Sequence, residues 1–252
     1  IDSPLFAHRT FCILDVMHLV DCSGVAAIIF GGVLNCLLAD RRVGETRASR
    51  LATINALRFA HYGSRPGANR LPEIHMANVV SNGWASLHGP PFKAAIVRSS
   101  APFWSELVHR FCTGESARGV CLRGVVSKLV EVYDILHNGP MFLPDAAMGQ
   151  LRAACVAVGV NHMRLRELSR RSGTFAFQIT PKVHKFQHIP QIAESINPRW
   201  CQCYGEESCV GTVVAAWKGS ASGRYRASVQ RTVNVKRVTA LLLRFEMALL
   251  EE

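Results

Sequence analysis

The chain has 252 residues, 49% of them hydrophobic, a formal net charge of +11 and a sequence pI near 9.6. That apolar content excludes a disordered chain and allows a sizeable core, in one large domain or two small ones. Of the 29 basic residues 23 are Arg, whose planar guanidinium pairs bidentately with phosphate and stacks on bases, so the charge points to a polyanionic partner.

The nine Cys are odd in number and irregularly spaced, which argues against a disulfide framework and for a reducing, intracellular compartment. Cys12, Cys36, Cys112 and Cys155 lie in apolar stretches, as small buried hydrophobes do. Cys201-x-Cys203 with Cys209 lacks the gap typical of zinc pairs.

In chain order, Thr10 to Leu14 (TFCIL) is a short β-favouring run that delivers Asp15 and then His18. Gly24 to Ala39 reads as a core helix, apolar on all sides. It is interrupted by Gly31, Gly32 and Asn35 and falls short of the roughly 20 residues a bilayer helix needs, so no membrane partner is expected. Thr46 to Phe59 is an amphipathic helix with Leu51, Ile54 and Leu57 on one face and Arg47, Arg50 and Arg58 on another. His61 to Pro72 is a Gly/Pro loop. Pro90-Pro91 opens a helix through Ala94, Ala95 and Ile96, and Pro102 to Phe111 follows.

Arg118 to His137 reads as a long helix with Val125, Leu129, Val132 and Leu136 inward. Asn138-Gly139-Pro140 breaks the chain, and Asp145 can cap a helix to about Arg171. The end of that helix carries Arg164, Arg166, Arg170 and Arg171 against one acid, Glu167. Thr174 to Thr180 alternates Phe175, Phe177 and Ile179 on one side. It is a short strand or an extended approach to Pro181.

Polar chemistry is densest from Thr180 to Gly211. His184 and His188 stand at i and i+4, sharing one face of a helix, with Lys182 and Lys185 beside them. Pro181 suits the first turn of that helix, and Pro190 would end or kink it. The chain then turns at Asn197-Pro198 and reaches Tyr204, Glu206 and Glu207. Beyond Gly211, Lys218, Arg224, Arg226, Arg231, Lys236, Arg237 and Arg244 occur with no acid before Phe245, over a loop and a helix from Arg226 to Leu250. Each piece also has a plain structural reading. A His pair can be packed aromatics, a Glu pair a solvated surface, Asp15 a helix-terminal acid, and the basic stretch a solvated helix that covers the domain.

Two motifs in order, Asp15-Val-Met-His18 running into Gly24 and its apolar helix, and Pro-Lys-x-His-x-x-x-His-x-Pro before an aromatic and acids, carry a resemblance. They resemble the C-terminal part of the catalytic domain of eukaryotic CACTA-type cut-and-paste transposases, closest to the divergent transposase-like proteins of dinoflagellates. Asp15 and His18 fill the DxxH signature, and Lys182, His184 and His188 the later motif. Cys22-Ser23 departs from the pattern by one inserted residue before Gly24. Tyr204-Gly205-Glu206 replaces the basic residue that precedes the final acid.

The resemblance implies a partial RNase H-like α/β domain with a large helical insertion, mainly α with a few short strands. By that match residues 1–40 hold the DxxH segment and core helix, 41–173 the insertion, and 174–252 the final-acid segment and basic C-terminal helix. It implies Glu207 as the last carboxylate of a DDE triad, with Glu206 as the alternative, and Asp15 and His18 as further site residues. It also implies Mg²⁺ or Mn²⁺ as cofactor, with Glu207 as metal ligand. Such chemistry holds two ions roughly 3.5–4 Å apart between carboxylates. The first two acids would lie upstream, so the chain alone is expected to be inactive. DNA is the implied partner, bound through Lys218, Arg224, Arg226, Arg231, Lys236 and Arg237, in the nucleus and with self-association into a homo-oligomer. The alternatives are a non-catalytic helical nucleic-acid-binding protein, or a zinc protein using His184, His188 and Asp15 or Glu207.

Overall fold

A computed structural model describes residues 15–201, apart from 64–68 and 82. These belong to one compact unit, 1–202. The expected strand at Thr10–Leu14, Glu206, Glu207 and the basic stretch from Lys218 onward lie outside the described residues.

The fold is mainly helical. A π-helical turn, Met17–Asp21, leads into α1 (Val25–Ala39). Then come α2 (Arg47–Gly63), a two-residue hairpin of β1 (Val80–Ser81) and β2 (Trp84–Ala85), α3 (Ala94–Ser99) and α4 (Ala101–Phe111). The long pair α5 (Ala117–Asn138) and α6 (Asp145–Arg171) follows, and the short helices α7 (Pro181–Phe186) and α8 (Ile189–Ala193) end the described region.

Helix α1 is the hub. Twelve of its 15 residues are buried, on every side, as its uniform apolarity requires. Its apolar surface is covered by packing against the π-turn, α2, α4, α5, the hairpin and α7. The stretch Met17–Ala39 is long and apolar enough to cross a bilayer, and its 18-residue apolar window has a mean hydropathy of 2.0, yet 72% of that window is buried inside the protein. Gly31 and Gly32 are contact points rather than interruptions. A Cβ on Gly31 would stand 2.3 Å from the Ser86 Cα, and one on Gly32 would stand 2.6 Å from the Phe177 ring.

Helix α2 begins with a reciprocal cap. The Ser49 amide donates to Thr46 Oγ1 at 3.1 Å, and the Thr46 amide donates to Ser49 Oγ at 3.0 Å. Arg50 does not join the solvated face that the helical pattern suggests. It is buried and donates to the carbonyls of Leu38, Gly44 and Glu45, satisfying the C-terminal end of α1. Helices α5 and α6 form an antiparallel pair, tied at one end by Arg118 donating to the Leu168 carbonyl at 3.0 Å. One continuous core, from Val16 to Ala193, runs through the DxxH segment, the helices of 41–173 and the start of the last segment.

Residues 175–179 are no strand but an extended approach to Pro181. Phe177 adopts φ +57°, a left-handed conformation that breaks a β ladder. It turns inward under Gly32, while Phe175 and Ile179 are exposed, so the three do not share a side. Only the Phe175 carbonyl pairs with the hairpin, accepting from the Ala85 amide at 2.8 Å.

Candidate functional site

The DxxH segment is built as a cap followed by a wide turn. One Asp15 oxygen accepts from the Met17 amide at 3.0 Å, and the other pairs with His18 Nδ1. The Cys22 amide closes the turn on the Met17 carbonyl at 2.8 Å, five residues back. Such a turn holds one residue more than an α-turn. Ser23, at φ +49°, completes the reversal. Gly24 is required beneath it, because a Cβ there would stand 2.2 Å from the Leu19 carbonyl oxygen. Asp21, at the end of the turn, is buried and accepts the Tyr133 hydroxyl of α5.

The second motif starts at Pro181, the first residue of α7, where its missing N–H costs nothing. Pro190 does not kink that helix. Helix α7 has already ended at Phe186, and Pro190 sits in the first turn of α8. Val183, Phe186 and Ile189 face the core, leaving His184 exposed and His188 half-buried. Their rings meet edge to face with centroids 4.9 Å apart, and their Nε2 atoms are 3.3 Å apart. Gln191 Oε1 lies 2.7 Å from His188 Nδ1.

The two motifs touch. Helix α7 packs on the π-turn, and Lys182 Nζ donates to the Cys22 carbonyl at 2.9 Å and the Ser23 carbonyl at 3.3 Å. An ammonium suits the partial negative charge of carbonyls at a turn's C-terminal end. Helix α7 and the turn that starts at Asp15 and His18 are thus neighbouring elements, joined through Lys182.

Further along, a residue that the sequence marks only as a turn anchors the chain. Asn197 is fully buried, and its amide group donates to the carbonyls of Leu136 at 3.0 Å, Pro140 at 3.1 Å and Gly139 at 3.3 Å. Its backbone N–H donates to the Met141 carbonyl at 2.7 Å. It fastens the chain that leads to Glu206 and Glu207 onto the α5–α6 loop. Between α7 and α8, Gln187 donates to the Cys155 carbonyl of α6 at 3.0 Å across Gly159.

The arginines at the end of α6 are partly spent. Arg170 donates twice and Arg171 once to Glu167, and those hydrogen bonds hold the Glu167 carboxyl down to about 2. Arg166 stacks 4.5 Å over the Trp84 ring, itself edge-on to Phe175. Arg164 and Arg171 line an open groove with Val120 and Cys121.

A Mg²⁺ or Mn²⁺ ion needs a cluster of oxygen donors. Among the described residues no group of three His, Cys, Asp or Glu converges, and both Asp15 oxygens are engaged by the turn and by His18. The described residues alone therefore do not fit such an ion. No protein-family model, curated protein or solved structure matches this chain.

Proposed function

We propose that the chain is the C-terminal part of a CACTA-like DDE transposase catalytic domain acting on nuclear DNA. Residues 41–173 would form the helical insertion of an RNase H-like fold, and Glu207, or Glu206, would be the final acid. The observation that carries this reading is the pair of hydrogen bonds from Lys182 to the Cys22 and Ser23 carbonyls. They join two motifs 160 residues apart in the sequence, in the order and adjacency the family requires. The helical character of 47–171 and the net charge of +11 agree with it.

One observation favours the second reading, a non-catalytic helical nucleic-acid-binding protein. The Asp15 carboxylate is committed to capping the π-turn. Both readings require DNA binding, and only the first requires cleavage.

A salt-titrated binding assay on duplex DNA tests the shared part. Replacing Arg231, Lys236 and Arg237 with Ala should weaken binding to all sequences alike and flatten the log–log salt slope by up to about three units. Unchanged affinity in that variant removes the basic stretch from the interface. Joined to an upstream segment carrying two further acids, the chain should nick DNA with Mg²⁺, and Glu207→Gln should abolish nicking while leaving binding intact. DNA binding without nicking in that longer protein selects the second reading.

A further inference from the structure

We propose that His184 and His188 form a chelating site for a borderline transition-metal ion of the Zn²⁺, Ni²⁺ or Cu²⁺ class, held through both Nε2 atoms. The geometry carries this assignment. Metal–imidazole bonds of about 2.0–2.1 Å at a tetrahedral angle of about 109° place two ligand nitrogens about 3.3–3.4 Å apart. The two Nε2 atoms already stand 3.3 Å apart, with ring planes inclined at 82°.

The second observation is the orientation of His188. Its Nδ1 lies 2.7 Å from Gln191 Oε1, which can only accept, so the proton belongs on Nδ1 and the lone pair on Nε2 points at His184. Without metal, His184 Nε2–H donates to that lone pair. With metal, the His184 proton passes through solvent to its own Nδ1, and the ion sits off the N···N line, bound by both Nε2 lone pairs. The backbone beneath is fixed, since Val183, Phe186 and Ile189 are buried on both sides of the pair. The Lys182 ammonium is drawn to the Cys22 and Ser23 carbonyls.

Two imidazoles select borderline ions over Mg²⁺ or Ca²⁺, which take oxygen ligands. No third His, Cys, Asp or Glu joins the pair among the described residues. The remaining coordination positions thus go to water or to an incoming oxygen or nitrogen ligand. This site is independent of the transposase reading, and its test uses no DNA.

The test is a titration of the full chain, labelled with ¹⁵N-histidine, with Zn²⁺ alone. The ring nitrogens are read individually, because Cys residues elsewhere also bind Zn²⁺. Both Nε2 resonances should shift together along one saturating curve. Gln191→Ala keeps both ligands and should weaken that event about 10-fold. His184→Ala, at an exposed position, should abolish the shift at His188 while leaving the thermal midpoint in EDTA unchanged. A shift at neither ring, at one ring only, or at His188 in the His184→Ala protein overturns the assignment. Should His184→Ala fail to fold, the paired shift in the unmodified chain decides alone.

Discussion

At the scale of single residues, buried polar groups decide more than the motifs suggest. Asn197 donates to one carbonyl at the end of α5 and two in the α5–α6 loop, contributed by residues some sixty positions away in the chain. Asn197→Ala should leave the buried Leu136 carbonyl without that donor, costing about 1–3 kcal/mol in denaturant unfolding. Asn197→Asp should be no better, since a carboxylate cannot donate. The sequence shows Asn-Pro and therefore a turn. It cannot show the loop that the side chain will meet, because that partner is set by the packing of α5 on α6.

His162 is the second such residue. It is buried in α6 with Nε2 3.1 Å from the Gln178 carbonyl and its ring edge-on to Phe177. Burial pushes its pKa below 6.5, Arg166 pushes the same way, and the backbone carbonyls of Gln178 and Phe177 oppose them less strongly. The neutral ring is then the folded form. Its stabilisation is fully present above the unfolded pKa of about 6.5 and declines as pH falls below it, because the unfolded chain takes up the proton first. His162→Gln should flatten the fall of the thermal midpoint below that pH. An equal slope in both proteins would mean that His162 is not the group responsible.

At the scale of elements, the helices were legible because their period was. The pattern over Arg118–His137 becomes α5 at Ala117–Asn138, and Asp145 does open α6, although as its first residue rather than its cap. The hairpin Val80–Ser81/Trp84–Ala85 is too short to show a period. Asn82-Gly83, between Ser81 and Trp84, is its sequence signal, with Gly83 at φ +79°. The side chains of 175–179 alternate in the sequence as a strand would, but Phe177 is captured by the space above Gly32, and tertiary packing overrides the local pattern. Of the candidate site, the two motifs were legible as separate stretches. Their contact through Lys182 was not, because nothing local encodes a bond across 160 residues.

Gly31 tests the packing of α1 directly. Helix propensity alone favours Gly31→Ala by about 1 kcal/mol. The Ser86 backbone at 2.3 Å from the new Cβ cannot move as a side-chain tip can, and overpacking of this kind costs about 1–3 kcal/mol. The net should be destabilising, with a lowered denaturant midpoint and an unchanged slope. A stabilised variant would show that the hairpin is free to shift away from α1.

At the scale of the whole molecule, the 29 basic residues overstate what a polyanion meets. Arg50, Arg58, Arg118 and Arg199 donate to backbone carbonyls, so part of their hydrogen-bonding capacity belongs to the fold. Arg42 and Arg152 pair with Asp40 and Glu194, and Arg170 and Arg171 converge on Glu167. Glu167 is therefore the acid that most restrains the basic end of α6. Held near 2 by its two arginines, its carboxyl stays charged across any working pH, so only substitution removes the restraint. Glu167→Gln should leave the exposed α6 surface folded, since solvent-exposed pairs contribute little to stability. It should also release Arg170 and Arg171 beside Arg164 and Arg166. If this end of α6 lies against a nucleic-acid backbone, duplex affinity at fixed salt should rise, and the log–log salt slope should steepen by about 0.9 for each further phosphate neutralised. Duplexes of unrelated sequence should bind more tightly by the same factor, because phosphate contacts carry no base information. An unchanged slope with an unchanged thermal midpoint would place this end of α6 away from the DNA, and would leave binding to the stretch from Lys218 to Arg244.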